Sequence, residues 1–325
     1  MLVVPLFGLI IVLYALPVIN ILWLGVSEPE LGIQNYKLLF TKSSLVKILW
    51  TTIRVCLITT LCSVVIGYLI AYSMVHLVGR EQNWMLTLVL ISFWISVLVR
   101  AFSWLTLLGR NGLLNAALVS SGLSEEPINM IRNEFGVLIG MIHYMVPYAV
   151  LPLLANMQGI DHRIMDASRS LGAGSLQTFL KIYLPLTKPG VIASSLLVFI
   201  ISLGFYVTPA LLGGGRVLMV AEYVSVQILI TVQWGLAAML ATLLLSGVFA
   251  LLYIMSRFMK IVKFSELDHE KKKQFRLEFS SWFYLGRTCF PRPDDADCRT
   301  SLTDTKALSF HADRRDFHAT LHQSV

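Results

Sequence analysis

An apolar run from Leu2 to Val26 opens the chain, and runs of similar length recur as far as Met259, each parted from the next by a polar stretch. About twenty apolar residues, rising roughly 1.5 Å each, cross about 30 Å of hydrocarbon as a helix. Lipid offers no partner to a backbone N–H or C=O, so a chain built this way is expected to be an all-α integral membrane protein. The expected spans are Leu2–Val26, Ile48–Leu77, Trp84–Leu108, Phe135–Met157, Val191–Leu212 and Gly235–Met259, six in all. Composition agrees, with 56% hydrophobic and 14% charged residues among 325, a balance that a water-soluble domain of this length does not keep in solution. The first run has no basic leader and no small-x-small cleavage site after it, so it reads as a span rather than a signal peptide.

The longest polar interruption is Asp166 to Pro185, within a loop covering 158–189. Asp161–Leu171 has the makings of a short helix, and Gly172-Ala173-Gly174 supplies backbone for a sharp turn. Ser175 is then expected to cap a second helix, with Leu176, Phe179, Leu180 and Tyr183 on one face and with Pro185 and Pro189 ending it. A helical hairpin with small residues at its elbow and an apolar stripe reads as a knob for a groove in another protein.

The residues Asp166, Ala167, Ser168, Gly172, Ile182, Leu184 and Pro185 stand in the order and spacing of a known signature. They resemble the loop of permease subunits in binding-protein-dependent ABC importers, departing from it with Asp for the usual Glu and Ser for the second Ala. Phe93-Trp94, the stretch from Val99 to Trp104, the stretch from Leu107 to Leu113, and Thr208 to Arg216 are similar to the spermidine/putrescine-type branch. The resemblance covers about residues 1–262, taken as a transmembrane permease domain of the type I importer fold. It implies a cytoplasmic loop docked on an ATPase subunit, with Gly172 and Ala173 setting the close approach, Asp166 offering a polar contact or helix cap, and Leu176, Phe179 and Leu180 filling the groove. It further implies a sister permease, usually in a heterodimer, an ABC ATPase dimer that binds ATP and Mg, an extracytoplasmic solute-binding protein, and a place in the bacterial inner (plasma) membrane. The solute implied is a polyamine or similar small organic molecule.

Within the spans Arg100 is the charge that needs explaining, since an ionised group there costs about 2.5 to 3.5 kcal/mol on insertion scales. Two readings stand: a pore residue paired with an acid on a neighbouring helix, or an arginine snorkelling to the outer interface. Arg100, Trp104, Tyr144, Tyr206 and Glu222 are the candidate lining of a translocation path. His143 reads either as lining too or as a helix–helix hydrogen bond beside Pro147. Gly204 and Pro209 in the fifth span either kink it or free carbonyls into a cavity. Gly67 is expected to allow close approach of a neighbouring helix.

Segments 27–47 and 109–134, the latter with room for a short helix, and the stretch holding Glu222 and Gln227 are expected on the far side. Lys and Arg on the side of the signature loop, among them Arg163, Arg169, Lys181, Lys260, Lys263 and Lys271 to Lys273, number about twelve against six on the other, which makes the loop cytoplasmic and, with six spans, both termini cytoplasmic. The formal charge of +7 is thus a matter of topology, and no nucleic-acid signal accompanies it. The polar tail, 263–325, carries His269, His311, His318 and His322 without the spacing of a metal site. Cys56, Cys62, Cys289 and Cys298 likewise match no zinc or redox motif. The chain has no Gly-rich phosphate loop, so no ATP site of that kind, and no nucleophile, carboxylate-pair or metalloprotease spacing of an enzyme. A gradient-driven secondary transporter and a non-transporting membrane scaffold are the alternatives, although no intramembrane acid relay or internal repeat is visible for the former.

Overall fold

The computed structural model describes residues 3–28, 31–32, 34–161 and 163–257. The tail 263–325, its histidines and cysteines, the basic residues from Lys260 onward, and His162 lie outside the described residues. The chain divides into two compact units, Met1–Ala250 and Leu251–Val325; of the second, 251–257 are described.

All regular structure among the described residues is helical. In chain order the helices are α1 (Val3–Ser27), α2 (Gln34–Thr41), α3 (Ser43–His76), α4 (Arg80–Trp94), α5 (Val97–Leu108), α6 (Leu113–Ser120), α7 (Glu134–Gln158), α8 (Arg163–Ser170) and α9 (Ser175–Thr178). A π turn, Phe179–Tyr183, leads into α10 (Leu184–Leu203), followed by α11 (Val207–Leu212), α12 (Val220–Leu229) and α13 (Trp234–Arg257). Among the described residues four helices are long and apolar enough to span a membrane: α3, α7, the continuous stretch Ser175–Leu203, and α13. The pair α4 and 97–120 makes a fifth if the two count as one bent span. The first expected span corresponds to α1, 25 residues long.

The centre is a three-helix packing of α3, α7 and α10. Small residues permit it: a Cβ at Gly67 would lie 2.8 Å from the Cβ of Ala149, and one at Gly190 would lie 2.7 Å from the Cβ of Asn156, so backbones meet where side chains would hold them apart. One core cluster joins Ala71 and Met74 to Val150, Leu153, Met157 and Tyr183, and another joins Val55 and Cys56 to Val137, Met141, Leu212 and Met219. Cys56 is thus a small buried hydrophobe.

Four expectations need correction. The segment 27–47 is not simply a polar loop: Asn35 Nδ2 donates to the Gly25 and Glu28 carbonyls at the end of α1, folding α2 back, and α3 starts five residues early, at Ser43 rather than Ile48. The single third span is broken into α4 and α5, with a 96° bend, because Ile95 and Ser96 adopt extended backbone (ψ 124° and 138°). The fifth span begins well before Val191 and is broken at Gly204–Tyr206.

Pro185 and Pro189, finally, do not end a helix. Pro185 has no N–H to give to the carbonyl four residues back, and the π turn absorbs this by passing the Leu184 N–H to the Phe179 carbonyl, five residues back. The helix therefore runs unbroken from Ser175 to Leu203. Ser175 is its first residue rather than its cap; the cap position is Gly174, with no side-chain bond.

Candidate functional site

The hairpin 163–174 closes on local bonds. The Asp161 carboxylate accepts from the Arg163 N–H (2.9 Å), opening α8. At its other end Gly172 lies in the left-handed region (φ +86°), Gly172 N–H donates to the Arg169 carbonyl (2.9 Å) and Ala173 N–H to the Ser168 carbonyl (3.1 Å). These are the two bonds of a Schellman ending, with glycine where an L side chain is strained. A Cβ at Gly172 would meet nothing within 4 Å; the position asks for a backbone conformation, not for space.

Ser168 is buried and pairs with Thr178 across the hairpin (Oγ to Oγ1, 2.9 Å). Ser168 donates to the Met165 carbonyl, so Thr178 donates to Ser168. Thr178 escaped sequence reasoning; its only mark there is a hydroxyl ten residues after a Ser where a small apolar residue was expected.

The expected stripe on the second helix splits in two. Phe179 and Tyr183 turn inward and pack edge-on against Tyr72 (ring centroids 5.7 and 5.4 Å), while Tyr68 meets Phe179 at 6.4 Å and hydrogen-bonds Thr187 (3.1 Å). Phe179 therefore packs on the core beneath the hairpin and not on its outer face. Leu176 and Leu180 remain outside, 71% and 50% exposed, with Leu171 at 89% beside them. Asp166, Ala167, Leu184 and Pro185 are exposed, Ala173 and Ile182 half-buried.

A second constellation sits midway along α7, where Arg100, Tyr144, Tyr148, His143 and Trp104 come together. Arg100 is 6% exposed. Its Nη2 donates to the Ser92 carbonyl and, at 3.4 Å, to that of Ile95, and its guanidinium carbon stands 4.9 Å above the Tyr144 ring. It reaches back to the carboxyl end of α4, and among the described residues it makes no ion pair with an acid. Tyr144 hydrogen-bonds Tyr148 (3.3 Å) and meets Phe205 at 4.5 Å, and Phe93 meets Tyr148 at 4.8 Å. Trp104 Nε1–H donates to His143 Nδ1 (3.2 Å), the helix–helix hydrogen bond that was one of the two readings of His143.

Two candidates stand apart from this cluster. Tyr206 is 48% exposed, and its neighbour Phe205 makes the contact with Tyr144. Glu222, on α12, is buried with Oε2 unpartnered. Glu134, at the end of the expected far-side segment 109–134, is held in a two-point ion pair by Arg54. Arg54 was missed because its partner lies 80 residues away. Among the described residues no group of His, Cys, Asp and Glu could hold a metal ion.

Comparison with known proteins places this architecture. Residues 63–260 match the family model described as "Binding-protein-dependent transport system inner membrane component". The chain is 34% identical over 202 residues to the spermidine/putrescine transport system permease protein PotB of Haemophilus influenzae, covering 62% of this chain and 70% of that one. It is 32% identical over 209 residues to PotB of Escherichia coli, covering 64% and 76%. Among solved structures, a bacterial alginate ABC transporter in complex with an alginate pentasaccharide-bound periplasmic protein shares the fold, with a TM-score of 0.64 at 15% identity over 78% of this chain and 90% of that one. The match spans the hairpin, the π turn and both broken helices, and the chain belongs to the binding-protein-dependent inner-membrane transport components, the permease subunits of ABC importers.

Proposed function

We propose that this permease takes up a polyamine or similar small organic solute, and that the hairpin within 158–189 is where a partner ATPase drives it. The observation that carries the reading is the contrast within the hairpin: its turn is locked by the Schellman bonds and the Ser168–Thr178 pair, while Leu171, Leu176 and Leu180 are left bare. Exposed leucines on a fixed scaffold suit a groove in another protein. Asp166 and Ala167 stand exposed on the same hairpin, and Gly172 and Ala173 shape its elbow. Ile182, Leu184 and Pro185 join it to the span.

ATP and Mg belong to that ATPase partner, an ABC dimer. A sister permease completes the path, as a heterodimer, and an extracytoplasmic solute-binding protein delivers the solute. The excess of Lys and Arg on the hairpin side supports a cytoplasmic hairpin and cytoplasmic termini. Because Ser175–Leu203 is one helix, a push on the hairpin travels into the bundle as rigid-body movement of α10 against α3 and α7. Arg100, Trp104, Tyr144, Tyr206 and Glu222 are the residues proposed to line the path. The solute class rests on two relatives whose names carry spermidine and putrescine.

The test is co-purification of this chain with its sister permease and ATPase, followed by spermidine-dependent ATP hydrolysis in proteoliposomes supplied with the binding protein. Leu176→Glu is expected to remove most of the ATPase from the complex while the permease stays in the membrane. Absence of any ATPase from the wild-type complex would overturn the coupling role. Uptake that survives ATP depletion but collapses with the ion gradient would favour a secondary transporter.

A further inference from the structure

Among the described residues two of the expected spans are broken, and the breaks converge. The α4–α5 break, at Ile95–Ser96, brings Arg100 over Tyr144, and the α10–α11 break, at Gly204–Tyr206, brings Phe205 to the same ring at 4.5 Å. Beyond the breaks α5 and α11 pack on each other. A broken helix exposes its last carbonyls, which have no N–H within the helix and carry the negative end of its dipole. Here those are the Ser92 and Ile95 carbonyls, and beside them lies the electron-rich face of Tyr144. Oxygen lone pairs and an aromatic face, with no carboxylate, form a site for an organic cation.

The present occupant is the chain's own guanidinium, and it fits imperfectly. Arg100 is 6% exposed, yet its Nε–H is buried with no acceptor. An unmet buried donor costs free energy, more so on a charged group. Since no acid neutralises Arg100 within the cluster, another cation could replace it without leaving a bare carboxylate behind. If the withdrawn guanidinium reaches water as the solute enters, the number of buried cations stays constant and the cost of burying a cation in the membrane largely cancels between the two occupants.

We propose that the junction formed by the Ser92 and Ile95 carbonyls and the Tyr144 ring is a cation station that accepts a guanidinium or alkylammonium group of the transported solute, and that Arg100 is its tethered competitor. With Arg100 in place the station is filled and repels a second cation; movement of α5 relative to α4 withdraws it and exposes the site. The solute's identity rests on the function proposed above, but the station itself does not.

The test uses the purified complex of this permease with its sister subunit and ATPase, and reads its melting temperature in millimolar guanidinium chloride against an equal concentration of sodium chloride. A cation that binds the folded complex raises that temperature. Arg100→Gln, which keeps a donor and removes the charge, is expected to gain an upward shift of a few degrees that the wild type lacks. Adding Tyr144→Leu to Arg100→Gln should abolish it. Arg100→Lys, a point charge with a different reach, should give a smaller shift and serves if Arg100→Gln does not assemble. Equal shifts in the wild type and the variants, or none in the variants, would overturn the station.

Spermidine in place of guanidinium separates the two readings. It is expected to stabilise Arg100→Gln at a several-fold lower concentration than the wild type. Stabilisation by guanidinium alone, together with no spermidine-stimulated ATP hydrolysis by the wild-type complex, would leave the station standing and overturn the polyamine reading.

Discussion

The hairpin and the Tyr144 junction both set polar groups among apolar helices, but they satisfy those groups in opposite ways. In the hairpin, the partners are near in sequence: Gly172 with Arg169, Ala173 with Ser168, Ser168 with Thr178. In the junction they come from separate elements: Arg100 of α5 with carbonyls at the end of α4 and a ring of α7, and Trp104 of α5 with His143 of α7. A unit closed on itself can be pushed as one piece. A unit closed across three helices changes its bonds whenever those helices move, which suits a place where solute passes.

That contrast can be broken from either side. The largest effect is expected from Arg100→Met, which removes the charged donor to the Ser92 and Ile95 carbonyls; a hydrogen bond to a charged group is worth about 1.5 to 3 kcal/mol. Its melting temperature should fall clearly while ATPase retention is unchanged. Loss of the ATPase instead would mean that the two regions are not separable. Next comes Gly67→Val, which forces side-chain atoms into the 2.8 Å approach to Ala149 and should cost about 1 to 3 kcal/mol by overpacking, read as lower folded yield and melting temperature.

On the hairpin side, Gly172→Val meets the left-handed backbone with a β-branched residue, a penalty of about 1 to 2 kcal/mol. It should weaken ATPase retention with little change in bundle stability. Gly172→Asn, which tolerates that conformation, should retain most of it, and equal losses would show that the added side chain, not the backbone, is what matters. The smallest effect belongs to Ser168→Ala, about 1 kcal/mol from the orphaned Thr178 hydroxyl. Pairing it with Thr178→Val should recover part of the loss in a double-mutant cycle.

The two regions also differ in how plainly they could be read beforehand. The hairpin was legible because its requirements are local: a glycine turn, small residues and a fixed spacing that survives replacement of Glu by Asp and of Ala by Ser. The inward turn of Tyr183 was not, since a simple helical wheel from Leu176 assumes α pitch throughout and the prolines at 185 and 189 suggested an ending. At the junction the residues were legible and the architecture was not. Arg100 stood out as a charge in an apolar run, but its partners are backbone carbonyls, which leave no mark on side-chain composition. Ile95 and Ser96 carry neither proline nor glycine, so nothing in the run announced the 96° bend. Arg54 and Glu134 show the same limit, a pair joined by the fold and far apart in the chain.

The five residues of the π turn, Phe179–Tyr183, carry one more consequence. A π turn holds one residue more than the α pitch needs, and each residue turns the helix by about 100°. The orientation of the hairpin relative to the face that α10 presents to α3 and α7 is therefore written as a count of residues. Deleting a single one between Phe179 and Tyr183 would return the helix to regular pitch, turn the hairpin as one piece with its Ser168–Thr178 pair intact, and aim Leu176 in a new direction with every other side chain kept. The hairpin works as a key whose bitting is set by phase as well as by shape.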